Sequence, residues 1–155
     1  KIIIGRIQGK AVGGGVGLAS AMDYCFATEH AAIKLSELAI GIGPFVVGPA
    51  VERKMGRSAI QQLSINPTKW QTAEWARENG LYSEVFSSSE KMDEAIADLA
   101  QKLNSYNPEA MANMKRIFWE GTEHWESLLY ERAEISGKLV LSDFTRNAIE
   151  QFKSK

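Results

Sequence analysis

At 155 residues, 45% of them hydrophobic and 24% charged, the chain is long enough to bury one sizeable core and has the balance of an ordinary soluble domain rather than a disordered tail. Its 18 basic residues nearly cancel its 19 acidic ones, and a formal charge of -1 supplies no general field for a nucleic acid or an anionic membrane surface, so neither partner is expected. A single cysteine, Cys25, excludes an internal disulfide and a multi-thiolate zinc site and fits a cytoplasmic protein, while His30 and His124 lie too far apart to pair as metal ligands by spacing, so no metal site is expected.

The chain starts at Lys1 without an initiator Met and enters at once into Ile2-Ile3-Ile4. Residues 2–7 read as a strand buried on both faces, whose neighbours the rest of the chain does not obviously supply. The chain is therefore expected to be a fragment, with any targeting signal outside it. Gly13-Gly14-Gly15-Val16-Gly17 then leads into Leu18-Ala19-Ser20-Ala21-Met22, small residues suited to a helix packed closely on a sheet. Residues 24–28 and 32–35 read as two further short strands, so the class is α/β. Asp23, between the helix and a strand, reads as a cap or turn residue.

After Pro44 the pattern becomes helical: 46–55, 57–65 beyond Gly56, and 71–79 stopped by Asn79-Gly80. A short strand over 82–86 follows, then a serine cluster at 87–89 heading a helix whose apolar face carries Met92, Ile96, Leu99 and Leu103. Asn107-Pro108 starts another helix with Met111, Met114, Ile117 and Phe118 as its buried stripe, and helical stretches over 122–140 and 142–153 complete the chain. Trp70, Trp75, Trp119 and Trp125 fall at helical positions and read as core or subunit-interface anchors. No repeat, low-complexity segment or apolar run near the roughly 20 residues of a membrane span interrupts the pattern.

A glycine turn between a strand and a helix presents backbone N–H groups to an oxygen that carries or develops negative charge. A phosphate loop would need Gly-Lys-Ser/Thr at the helix start, and Val16-Gly17-Leu18 offers none of it. A dinucleotide fingerprint started at Gly13 or Gly15 fails at its third position, ending on Leu18 or Ser20, although Glu37 lies where a ribose-binding acid would. Two readings remain beside that one: an oxyanion hole, and glycines that merely allow a helix to pack close to a sheet.

The order of features around the turn is more specific. Lys1-Ile2-Ile3-Ile4, Gly9-Lys10-Ala11-Val12-Gly13-Gly14-Gly15, Ala21-Met22-Asp23, Ser36-Glu37-Leu38-Ala39-Ile40-Gly41 and Pro44 together resemble the enoyl-CoA hydratase/isomerase (crotonase) family, without a gap in spacing through Pro44. Thr72 to Ala76 and Gly80 to Val85 are similar to a later segment of that family. The resemblance implies a crotonase-like ββα spiral core, truncated at its N-terminus and occupying residues 1–87, with a helical trimerisation and CoA-covering region over 88–155. It implies an acyl-CoA substrate, a place in fatty acid metabolism, no cofactor apart from the coenzyme A of the substrate, and a homotrimer or hexamer.

By that resemblance Gly14 is the backbone donor of half an oxyanion hole and Glu37 is the acid/base facing the acyl chain. A carboxylate among Leu35, Leu38 and Ile40 is expected to have a raised pKa. Gly13, Gly15, Gly17, Pro44 and Phe45 would line the substrate, and Phe152 and Lys153 would meet the nucleotide part of CoA. Two departures stand out. Hydratases of the family carry a first glutamate where this chain has Gly17, so Glu37 alone resembles the single-glutamate isomerases more than the full hydratases. A glycine-rich turn is replaced by Phe45-Val46-Val47-Gly48, whose bulk would reshape the acyl pocket. A non-catalytic acyl-CoA binder stays open on the first of these grounds.

Overall fold

The computed structural model describes residues 1–153, without the side chains of residues 152 and 153. In chain order it runs β1 (Ile4–Ile7), β2 (Ala11–Val12), α1 (Gly14–Ser20), β3 (Tyr24–Thr28), β4 (Ile33–Lys34), a 3-10 turn (Glu37–Ile40), α2 (Gly48–Ile65), α3 (Ala73–Glu78), β5 (Glu84–Phe86), α4 (Ser89–Ser105), α5 (Pro108–Phe118), α6 (Trp125–Val140) and α7 (Asp143–Lys153). Parallel strands β1, β3 and β5 form one sheet in that order, and β2 pairs in parallel with β4 in a second. The α/β class expected from the sequence is the class observed.

The core lies where β3 meets α1 and α2. Cys25 and Ala27 of β3, Val16 and Ala19 of α1, and Val51, Ala59 and Leu63 of α2 are buried there, while Phe26 is buried beside Tyr24 and Phe86. Small side chains on α1 let it sit close to β3: the Cys25 thiol donates to Ala19 O at 3.2 Å, and the Ser20 hydroxyl to Val16 O at 2.8 Å. The first strand departs from expectation. It forms an edge of the described sheet, starts at Ile4, and leaves Ile3 49% exposed, because only β3 pairs with it.

Helix boundaries follow local chemistry. Gly56, at φ +80° and ψ 164°, breaks the regular path of α2 at the residue where the sequence divides two helices. Thr72 caps α3 and Ser88 caps α4, accepting from the Trp75 and Lys91 N–H groups at 3.0 and 3.3 Å. Asn107 caps α5 with bonds from the Glu109 and Ala110 N–H groups. The stripe expected to be buried on α5 is not: Met114, Ile117 and Phe118 are each about half exposed, and neither α5 nor α6 contributes a buried residue among those described. Trp70 lies outside any helix, between α2 and α3.

Asp23 holds α5 to the sheet. Both its carboxylate oxygens accept from Lys115 Nζ at 2.7 Å, and Oδ2 also accepts from the Ile3 N–H at 2.7 Å. Burial pushes its pKa up, but the bonds from Lys115 and Ile3 outweigh that and hold it below the ordinary aspartate value.

Candidate active site

Where β2 passes into α1, Gly13 is fixed from two sides. Its φ of +52° and ψ of -114° suit glycine alone. Its N–H donates to Lys34 O at 3.1 Å and ties the turn to β4, while its carbonyl accepts from the Val16 and Gly17 N–H groups at 3.0 and 3.1 Å. A Cβ on Gly13 would stand 2.9 Å from Glu37 Oε1. The glycine turn and Glu37 are therefore in direct contact.

Gly14 and Gly15 open the first turn of α1, where backbone N–H groups have no partner within the helix. Among the described residues neither N–H has a protein acceptor. A Cβ on Gly14 would meet nothing within 4 Å, and one on Gly15 would meet only Ala11 Cβ at 3.5 Å. Close packing within the chain thus accounts for Gly13 but not for Gly14.

Glu37 begins the 3-10 turn rather than ending a strand. Its Oε2 is buried with no hydrogen-bond partner among the described residues. Burial pushes the carboxyl pKa above its ordinary value, and the residue's own backbone N–H draws it partly back. The raised value agrees with the sequence reading, but part of the reason differs. Leu38 is about half exposed, whereas Gly13 lies so near the carboxylate that it leaves no room for a side chain between them.

One turn further along α1, a Cβ on Gly17 would stand 2.7 Å from Val47 Cγ1. Glu37 therefore lies beside the residue that precedes α1, and Val47 beside Gly17 within it. The residue of the bulky run that packs against α1 is thus Val47.

Pro44 and Phe45 are placed elsewhere. The Phe45 ring folds back onto Gly43, and both residues line a cavity of about 580 Å³ with Gly48, Phe118, Trp125 and Leu128, in which neither the glycine turn nor Glu37 takes part. A larger cavity, about 690 Å³, is lined by Val12 just before the glycine turn, by Ser36, Ala39 and Ile40 around the 3-10 turn, and by Trp70 and Ile149, and again neither the glycines nor Glu37 line it. The Lys10 and Lys34 ammonium groups lie 4.8 and 4.5 Å from the Trp70 ring centre. This wall went unread in the sequence because its parts come from four separate segments. The side chains of Phe152 and Lys153, expected to meet CoA, lie outside the described residues.

The described residues hold no cluster of three or more His, Cys, Asp or Glu side chains able to bind a metal, and no helix long and apolar enough to cross a membrane.

Comparison with known proteins gives this geometry a context. The sequence model described as enoyl-CoA hydratase/isomerase matches residues 1–154. Carnitinyl-CoA dehydratases of Salmonella paratyphi A and Salmonella agona are 36% identical over 118 residues, which is 76% of this chain and 45% of theirs. The chain spans about half the length of the curated relatives it matches. An enoyl-CoA hydratase/isomerase structure from Pseudoalteromonas atlantica superposes with a TM-score of 0.89 at 18% identity, over 99% of this chain and 62% of that one. An enoyl-CoA hydratase from Mycobacterium avium gives 0.89 at 25% identity, over 97% and 59%. The Pseudomonas aeruginosa OdaA structure also gives 0.89, at 22% identity, over 100% and 63%.

Proposed function

The chain belongs to the enoyl-CoA hydratase/isomerase family, and from that premise we propose that it carries the proton-transfer half of an enzyme site acting on an acyl-CoA thioester. Glu37, as carboxylate, takes a proton from the carbon beside the thioester carbonyl. The electron pair of that C–H bond becomes the C=C bond of an enolate as the carbonyl π pair moves onto the oxygen, which accepts a hydrogen bond from the Gly14 N–H. Glu37, now protonated, returns the proton to a carbon further along the conjugated system, and the double bond has moved. The sequence of steps balances without a redox cofactor or a metal.

The observation that carries this reading is the placement of Glu37, with one oxygen against Gly13 and the other buried without a partner. A carboxyl so placed has a raised pKa, which brings it closer to the working pH of a proton carrier. The open space beside Gly14, with its N–H unused, leaves room for a ligand oxygen. A shift of the double bond needs one such carboxylate, whereas addition of water benefits from two.

A second reading, addition or loss of water, is favoured by the name of the curated relatives, carnitinyl-CoA dehydratase. Incubating the whole protein with 2-enoyl-CoA and 3-enoyl-CoA in deuterium oxide separates the two by mass spectrometry. Deuterium in the acyl chain with a migrated double bond supports proton shuttling; a hydroxyacyl product supports the second reading; an unchanged substrate that nevertheless binds leaves a non-catalytic acyl-CoA binder. Association into trimers or pairs of trimers belongs to the same proposal and is supported by the exposed Met114, Ile117 and Phe118 of α5. Sedimentation of the whole protein tests it, a monomer being the contrary result.

A further inference from the structure

The 3-10 turn that carries Glu37 has no buried residue of its own, and short 3-10 segments have little intrinsic stability. Something outside it must hold it. Its far end is Gly41, at φ +82°, whose N–H donates to Leu38 O at 3.0 Å, while the Ile42 N–H donates to Glu37 O at 3.0 Å. Against Gly41 rests the first turn of α7. A Cβ on Gly41 would stand 2.5 Å from Phe144 Cδ1 and 2.7 Å from Thr145 Oγ1.

Thr145 is 0% exposed, a hydroxyl-bearing side chain fully buried at the start of the helix. Its N–H donates to Ser142 Oγ at 3.3 Å, and its hydroxyl accepts from the Ser142 hydroxyl at 3.2 Å. The pair locks the start of α7 while Thr145 Oγ1 faces the backbone of the turn. Phe144, by contrast, is 67% exposed and touches the turn with one edge.

We propose that Thr145, assisted by Phe144, is a positioning residue that presses on Gly41 and so keeps the turn of Glu37 seated against Gly13. It touches no reacting atom. Its effect reaches the chemistry through the backbone of four residues, where a small displacement would move the carboxylate relative to the Gly14 N–H. This inference rests on the reading of Glu37 as the proton carrier.

The test compares Thr145→Ala, Thr145→Ser and Phe144→Ala in the whole protein, with Glu37→Gln alongside, in the deuterium-exchange assay. Thr145→Ala is expected to lower kcat on the order of tenfold to a hundredfold, as a misplaced catalytic group does, with KM changed by no more than about twofold. Thr145→Ser, which keeps the hydroxyl, should recover most of kcat. A folded Thr145→Ala with unchanged kcat, or a Ser variant as impaired as the Ala variant, overturns the proposal. If Thr145→Ala does not fold, Phe144→Ala decides: a loss in kcat alone supports it and unchanged kinetics overturn it. Should Glu37→Gln be inactive while the Thr145 and Phe144 variants behave as wild type, the positioning role alone fails. Should Glu37→Gln turn over normally, the catalytic reading fails and the positioning role with it.

Discussion

Val47 fills the space that a side chain on Gly17 would need: a Cβ there would stand 2.7 Å from Val47 Cγ1 and 2.9 Å from Val47 Cβ. Gly17 and the bulky run after Pro44, each read in the sequence as a departure, thus meet in one packing contact. A side chain cannot be added at Gly17 without displacing Val47.

Gly17→Glu alone is expected to destabilise the protein by about 1 to 3 kcal/mol, the usual cost of overpacking a close contact. Combining it with Val47→Gly should return much of that loss, a coupling on the order of 1 to 2 kcal/mol between residues in contact. Urea unfolding of the two single variants and the double variant measures the cycle; additive effects would show that the two positions do not share space.

Gly13→Ala meets two obstacles, the positive φ and Glu37 Oε1 at 2.9 Å. A loss of about 1 to 3 kcal/mol is expected from the strained backbone alone. Activity should fall further than stability, because the new methyl displaces the carboxylate. Turnover measured well below the unfolding temperature separates the two effects; full activity in a destabilised variant would contradict the contact.

The raised pKa of Glu37 sets the sign of a stability effect. In the folded chain its carboxyl keeps a proton to higher pH than the unfolded value of about 4.3. Between those two values the folded state binds more protons, so this group's contribution is fully present below the unfolded pKa and is lost as pH rises through the folded one. Glu37→Gln, uncharged throughout, should be more stable than wild type near neutral pH and show a smaller decline from acid to neutral. Unfolding midpoints measured across that range check it, parallel curves being the contrary result.

Asp23 works in the opposite direction. Its folded pKa lies below the unfolded value, so its stabilisation is present above the unfolded pKa and is lost as pH falls through the folded one. Asp23→Asn breaks the bonds to Lys115, and removing a charged hydrogen-bond partner from a largely buried site is expected to cost about 2 to 3 kcal/mol. Activity at low temperature should be retained. Thermal unfolding measures the cost, and no change would mean that Lys115 finds another partner.

Much of the fold was legible because its signals are local. The glycine turn, the break at Gly56 and the caps at Ser88 and Asn107 each rest on residues within a few positions of one another. The 3-10 turn at Glu37 was hidden, because Leu35, Leu38 and Ile40 suggest buried surroundings that only Leu35 provides; the contact with Gly13 comes from a distant segment. Within the bulky run Phe45 to Val47, Phe45 turns onto Gly43 and Val47 lies beside α1. Which member of a bulky run points inward depends on the turn geometry that Gly43 and Pro44 impose. The amphipathic pattern of α5 is real, but the pattern names an apolar face without naming what covers it.

The central claim is that Glu37 carries the proton, and deuterium entry into the acyl chain of an enoyl-CoA measures it most directly. Glu37→Gln keeps the shape of the side chain and removes its ability to take a proton. The variant is expected to slow exchange about 100-fold to 10,000-fold, the usual span for loss of a general acid/base, while still binding the substrate. A folded Gln variant that exchanged deuterium at the wild-type rate would contradict the account.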